Sequence, residues 1–281
     1  ILVDLNKPRA EAHAQDLSDA AAYMPGMMTI STREASDCAD VDIAVITVSG
    51  GALKPGQTRL DELTNTAEIV KSLVPQMMNG GFNGIFLVAT NPCDIITWQV
   101  WQLSGLPRGQ VLGTGVWLDT TRLRGVLAQA LDIGAQSIDA FILGAHGDAQ
   151  FPVWSHSAVY GSAIADVYQK HTGKALDREL IADKVRKLGF EIYDVKGCTE
   201  YGVAGTIAEI CRNIFTGSHR ALAVSCILDG EYGVTGAAAG VPAVLTQSGV
   251  QQIIELQLAD DEAEKFRHAI EVIKASIARL P

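Results

Sequence analysis

The chain is expected to fold as an α/β protein, a doubly wound parallel sheet followed by a mixed α+β region, on three observations. Short Val/Ile-rich runs alternate with longer amphipathic ones through the first half of the 281 residues, the pattern of parallel strands crossed by helices. Glycine-rich turns follow several of these runs, where a strand would hand over to a helix. Hydrophobic residues make up 48% and charged residues 19%, enough apolar surface for a full core in one large domain or two.

Residues 1–4, 27–30, 42–48, 84–90 and 110–113 read as strands. Between them, 9–24, 60–79 and 94–104 read as helices, because apolar residues recur at helical spacing; Leu60, Leu63, Ile69, Leu73 and Met77 share one face of the second. The later half opens with a helix over 118–131 and a strand over 138–143. Helices near 177–188 and 205–215 follow, then strands near 221–228 and 242–245, and a closing helix over 260–278. That last helix begins with Asp260, Asp261 and Glu262, acids at the end where the helix dipole is positive.

Ile1-Leu2-Val3-Asp4 ends an apolar strand on an acid. A dinucleotide fold places such a carboxylate on the adenosine ribose, about 20 residues after a GxGxxG phosphate turn. The first strand and that turn are therefore expected upstream of Ile1, and without them the chain as given is expected to hold a dinucleotide poorly. On this reading residues 1–115 are a Rossmann-type dinucleotide-binding domain lacking its first strand and GxGxxG turn, and 116–281 a substrate and catalytic domain. Asp4 favours NAD over NADP, since a carboxylate accepts from a free ribose 2′-OH and repels a 2′-phosphate.

The strongest chemical signal is Gly144-Ala145-His146-Gly147-Asp148, which follows the apolar run 138–143 and delivers one imidazole to a glycine-flanked edge. Asp119-Thr120-Thr121-Arg122, after the Gly113-Thr114-Gly115 turn, supplies a carboxylate to orient the ring and a guanidinium to hold an anion. Histidine titrates near neutral pH, and a neighbouring aspartate fixes its tautomer and raises its pKa. The other five histidines lack such a setting and read as structural or surface residues. The Gly/Pro-rich stretch 50–59 ends in Arg59 and reads as a lid carrying a cation that polarises a carbonyl. Asn91 in Thr90-Asn91-Pro92 sits where another strand should end, with its amide available to the same crevice.

A net charge of -10 argues against nucleic acid as a partner. Cys38, Cys93, Cys198, Cys211 and Cys226 are scattered without CxxC spacing, so they read as buried thiols in a reducing, cytoplasmic compartment rather than as metal or disulfide sites. No apolar run reaches the roughly 20 residues that cross a bilayer.

In order, these motifs resemble the lactate and malate dehydrogenase family, closest to its L-lactate and L-2-hydroxyacid branch, over essentially the whole chain. Lys196-Gly197-Cys198-Thr199 and Gly240-Val241-Pro242-Ala243 extend the match. The resemblance implies that His146 exchanges a proton with the substrate oxygen, Asp119 supports the imidazolium, and Arg59 polarises the carbonyl. It implies that Arg122 binds the substrate carboxylate, with Thr199 lining the substrate, Val203 packing on the nicotinamide and Asn91 near the reacting carbon or cofactor amide. A homotetramer or homodimer is implied as well. Leu53 stands where malate enzymes of the family carry arginine and typical lactate enzymes glutamine, so a second substrate carboxylate would be left unpaired. Malate dehydrogenase is the alternative within the family. A non-catalytic interaction or structural protein that keeps the fold is the alternative outside it, opposed by the clustering of Arg59, Asp119, Arg122 and His146.

Overall fold

A computed structural model describes residues 1–50 and 59–281, the side chains of 59–62 excepted. Asn6 accepts the Arg9 N–H at 3.2 Å and starts α1 (Lys7–Ala21), with Pro8 in the first turn, where a backbone N–H has no partner to lose. There follow β1 (Ile43–Ile46), α2 (Arg59–Asn79), β2 (Ile85–Val88), α3 (Cys93–Ser104) and β3 (Val111–Gly113). The three strands are parallel and in register, Ile43 beside Ile85 and Phe86 beside Val111. Every residue of β2 is buried, as expected of a parallel strand covered on both faces. On one face Val70, Val74, Ile96 and Val100 pack with Phe86 and Val88, each worth about 1.5–3 kcal/mol on full burial.

The later half contains α4 (Trp117–Leu131), β4 (Ile138–Asp139), β5 (Ile142–Gly144), β6 (Gln150–Pro152), β7 (Ala158–Val159), β8 (Ser162–Ala163) and α5 (Ile164–Thr172). It continues with α6 (Arg178–Lys196), α7 (Tyr201–Thr216), β9 (Ala221–Asp229), β10 (Thr235–Thr246), β11 (Gly249–Ile253) and α8 (Asp260–Ile277). β9 pairs antiparallel with β3, so one sheet runs β1-β2-β3-β9-β10-β5-β6 with β11 on β10, and β4-β7-β8 form a small second sheet. One row crosses four strands, Gly113 beside Ser225, Ser225 beside Gly240, and Gly240 beside Gly144.

Several expectations need correction. The strands expected at 1–4 and 27–30 reduce to one parallel bridge between Leu2 and Thr32; Met27, Met28 and Val3 are exposed, so no packing extends the pairing. The strand expected over 138–143 is two, β4 and β5, which serve different sheets. β10 is far longer than 242–245, because β9 pairs along it and buries Ala237, Ala238 and Ala239 completely; pairing overrides the weak strand preference of a Gly/Ala run. Helix α6 runs on to Lys196, where Gly197 adopts the left-handed conformation that ends it. Cys38, Cys93 and Cys226 are buried, but Cys198 is exposed, on the short link after α6. Among the described residues no helix is long and apolar enough to cross a membrane.

Candidate active site

The sheet register brings the site together. Gly144 ends β5 with φ of 95°, and a Cβ there would stand 2.8 Å from the Ala149 carbonyl oxygen, so only glycine lets the chain turn out of the sheet here. Gly147, with φ of 116°, closes the other side of His146. Two strands earlier in sequence but in the same row, Gly113 ends β3; its Cβ would lie 2.4 Å from Thr97 Oγ1 and 2.7 Å from Cys93 Sγ. Gly115, at φ of 53°, passes within 2.3 Å of the Ser225 nitrogen at the position of an added Cβ. These close approaches start α4 beside the β5 end, and Asp119 falls in its first turn, where the helix dipole favours a negative charge.

Asp119 divides its two oxygens between two partners. Oδ2 lies 2.7 Å from His146 Nδ1, and Oδ1 accepts from Arg122 Nη1 at 3.0 Å. The carboxylate side chain is 3% exposed, the arginine 15% and the histidine 27%, so Nε2 is left as the ring nitrogen available to a substrate. Burial opposes a charge on either partner. Against it, the charge and hydrogen bond of Asp119 hold His146 above its ordinary pKa, while His146 and Arg122 hold Asp119 below the usual carboxylate range. Arg122 sits one turn on from Asp119, against Gly189 of α6: a Cβ on Gly189 would stand 3.3 Å from Arg122 Nη1. The missing side chain makes room for the guanidinium, a contact that no local sequence signal announces.

Asp94 is the second residue that the sequence reading passed over. It is 2% exposed; Oδ2 accepts the His146 backbone N–H at 2.8 Å and Oδ1 the Ser225 hydroxyl at 2.6 Å. Its signal is an acid inside the apolar start of α3, Cys93-Asp94-Ile95-Ile96, where the helix expected over 94–104 begins. The neighbouring Cys93 thiol is pushed up to about 12 by burial and is no nucleophile.

The remaining candidates are placed less tightly. Asn91 is exposed beyond the carboxyl end of β2, next to Thr90, whose hydroxyl donates to the Ile46 or the Val48 carbonyl at 3.1 and 2.9 Å and so ties the ends of β1 and β2 together. Thr199 and Val203 are half-buried around the start of α7, where Gly202 packs on Leu118 beside Asp119. Asp4 is exposed, with Oδ1 accepting from the Asn6 N–H at 2.8 Å. Arg59 begins α2, its side chain outside the described residues, and Leu53 lies outside them altogether. The carboxyl ends of β1, β2 and β3 open toward one side, the crevice in which sheets of this kind take a dinucleotide. An exposed carboxylate at Asp4 and an exposed amide at Asn91 suit the hydroxyl and amide groups of NAD. Among the described residues no cluster of His, Cys, Asp or Glu has metal-binding geometry.

Residues 1–113 match the NAD binding domain of lactate/malate dehydrogenases and residues 117–280 their alpha/beta C-terminal domain. The chain belongs to the lactate/malate dehydrogenase family. Among curated members of this family it is 68% identical over 277 residues to L-lactate dehydrogenase 2 of Listeria innocua, covering 99% of this chain and 89% of that one. The ligand-bound minor L-lactate dehydrogenase of Enterococcus mundtii superposes with a TM-score of 0.95 at 37% identity, over 100% of this chain and 89% of that one. A malate dehydrogenase from Aeropyrum pernix superposes with a TM-score of 0.91 at 31% identity, over 100% and 90%. The NAD-binding Rossmann fold expected from the sequence is thus the fold of this lactate/malate dehydrogenase chain.

Proposed function

We propose that the protein is an NAD-dependent L-2-hydroxyacid dehydrogenase that interconverts L-lactate, or a larger apolar L-2-hydroxy acid, with its 2-oxo acid. The observation that carries this reading is one buried carboxylate held between an imidazole and a guanidinium, 2.7 and 3.0 Å away. A proton carrier and an anion holder are thereby fixed side by side. In reduction, His146 gives the proton on Nε2 to the substrate oxygen; in oxidation the neutral ring takes it back. Asp119 keeps the other ring nitrogen protonated and stabilises the imidazolium. Arg122 grips the substrate carboxylate by two parallel hydrogen bonds, a geometry lysine cannot match. Arg59 polarises the C2 carbonyl, and Thr199 and Val203 line the substrate and nicotinamide sides. Asp4 takes the adenosine ribose and Asn91 the region of the reacting carbon. The cofactor, when bound, would supply the hydride as NADH in reduction and accept it as NAD+ in oxidation.

Leu53 sets the expected substrate range. An apolar residue cannot neutralise a second carboxylate, so oxaloacetate is a poor substrate, and buried methylenes contribute about 0.8 kcal/mol each toward longer apolar side chains. The test is NADH oxidation by the full-length protein with pyruvate, 4-methyl-2-oxopentanoate and oxaloacetate side by side. Turnover of the monocarboxylates above oxaloacetate is expected. The highest kcat/KM with oxaloacetate would instead favour malate chemistry, the activity named for the Aeropyrum pernix protein.

The pH profile tests the pair itself. Reduction needs protonated His146, so its rate is lost as pH rises through the raised histidine pKa. Asp119→Asn removes the largest of the interactions that raise it and leaves burial, which lowers it. The alkaline limb of kcat/KM for the 2-oxo acid then moves to lower pH, and an unmoved limb would separate Asp119 from the titrating group.

A cytoplasmic location belongs to this reading and is supported by buried, unbridged Cys38, Cys93 and Cys226, which suit a reducing compartment. Exposed Phe190, Tyr193 and Val195 of α6 with Tyr201 of α7 support association into a homodimer or homotetramer.

A further inference from the structure

We propose that Asp94 is a positioning residue for His146, its buried carboxylate fastening the histidine's main chain to α3 and, through Ser225, to β9. This inference rests on the dehydrogenase reading of the site. The loop that carries His146 is flanked by Gly144 and Gly147, both at positive φ, so the loop's own side chains do little to fix it. The His146 N–H needs an acceptor, and Asp94 provides it at 2.8 Å from the first turn of α3, 52 residues earlier in the chain. The other oxygen of Asp94 is committed to Ser225 Oγ at 2.6 Å, and Ser225 is fully buried in the central pairing of β3, β9 and β10. His146 is thus gripped at two points: Asp119 sets the ring and Asp94 sets the backbone from which the ring projects. A main-chain shift at residue 146 would move Nε2 off the line to the substrate oxygen, and misplacements of about 1 Å cost roughly a hundredfold in rate.

A carboxylate is not the obvious choice for so dry a position. Burial drives the Asp94 pKa up, opposed by the Ser225 hydroxyl and the His146 N–H. Two strong acceptors at fixed separation are what the position uses, and asparagine can reproduce both contacts: its carbonyl accepts from His146 and its amide donates to Ser225 Oγ. Alanine can reproduce neither, and leaves a buried N–H without a partner.

The experiment compares Asp94→Ala, Asp94→Asn and Ser225→Ala in the full-length protein at fixed pH. Asp94→Ala is expected to lower kcat for 2-oxo acid reduction by about tenfold to a hundredfold, with KM for the 2-oxo acid and the NADH dissociation constant held near those of the unmodified protein. Asp94→Asn is expected to recover most of that loss, and Ser225→Ala to show a smaller loss of the same kind. Full kcat in Asp94→Ala would overturn the proposal. So would an Asp94→Asn as impaired as the alanine variant, or a loss of kcat matched by loss of NADH binding and of Tm, which marks a general fold defect. A second readout is independent of turnover: the low-field proton resonance of the His146 Nδ1–Asp119 hydrogen bond should shift or vanish in Asp94→Ala and return in Asp94→Asn. If the unmodified protein turns over no 2-oxo acid, the dehydrogenase reading fails, and the resonance alone decides for or against Asp94.

Discussion

Replacing His146 by glutamine is expected to lower kcat for 2-oxo acid reduction by about 10²- to 10⁴-fold, the range of a positioned general acid, while NADH binding persists. Glutamine keeps a polar side chain of similar reach on the β5 loop and retains the main-chain hydrogen bond to Asp94, so what is lost is proton transfer. The partner carboxylate makes the prediction sharper. In the glutamine background Asp119→Asn should cost little more, because residues that act as a unit show non-additive losses. Two full and independent losses would mean that Asp119 acts elsewhere than on His146. Steady-state rates of the four proteins, with NADH dissociation constants from fluorescence quenching, decide the matter.

Arg122→Lys is expected to lower kcat/KM for pyruvate by about 10- to 100-fold, mostly through KM, since hydrogen bonds to charged groups contribute about 1.5–3 kcal/mol and one of two parallel bonds is lost. The charge survives the substitution, so the effect measures geometry. In this protein the arginine is also anchored, with Nη1 3.0 Å from Asp119 and the guanidinium laid against Gly189. A lysine ammonium at that place would be drawn to Asp119 as a point charge and present no second donor to the substrate. A KM within about twofold of the unmodified value would reassign substrate anchoring to another cation.

The parts of this site that were legible in the sequence are those with a local signature. A histidine between glycines after an apolar strand, and an Asp-x-x-Arg pair after a Gly-x-Gly turn, each state their own geometry within a few residues, and the spacing of Asp119 and Arg122 is that of one helical turn. The alternation of strands and helices was readable for the same reason. What escaped depends on contacts between segments distant in sequence. Asp94 meets His146 across 52 positions and Ser225 across 131, and Gly189 matters only because another helix lays an arginine on it. The long β10 was invisible because Gly and Ala carry no strand preference and its partner β9 supplies the order. The apolar 1–4 segment misled in the opposite direction, with strand-like composition but a single bridge to Thr32.

The row Gly113, Ser225, Gly240 and Gly144 serves as a datum line for the whole molecule. Along it a side chain is almost absent: an added Cβ would stand 2.4 Å from Thr97 at Gly113, 2.6 Å from Val116 at Gly240 and 2.8 Å from Ala149 at Gly144. The helices and loops above are therefore seated directly on backbone, at a separation fixed by atomic radii and peptide geometry rather than by adjustable side chains. The tolerance of the proton-transfer distance is set by what the three glycines of this row leave out, and a single methyl group at one of them would misalign donor and acceptor without touching either.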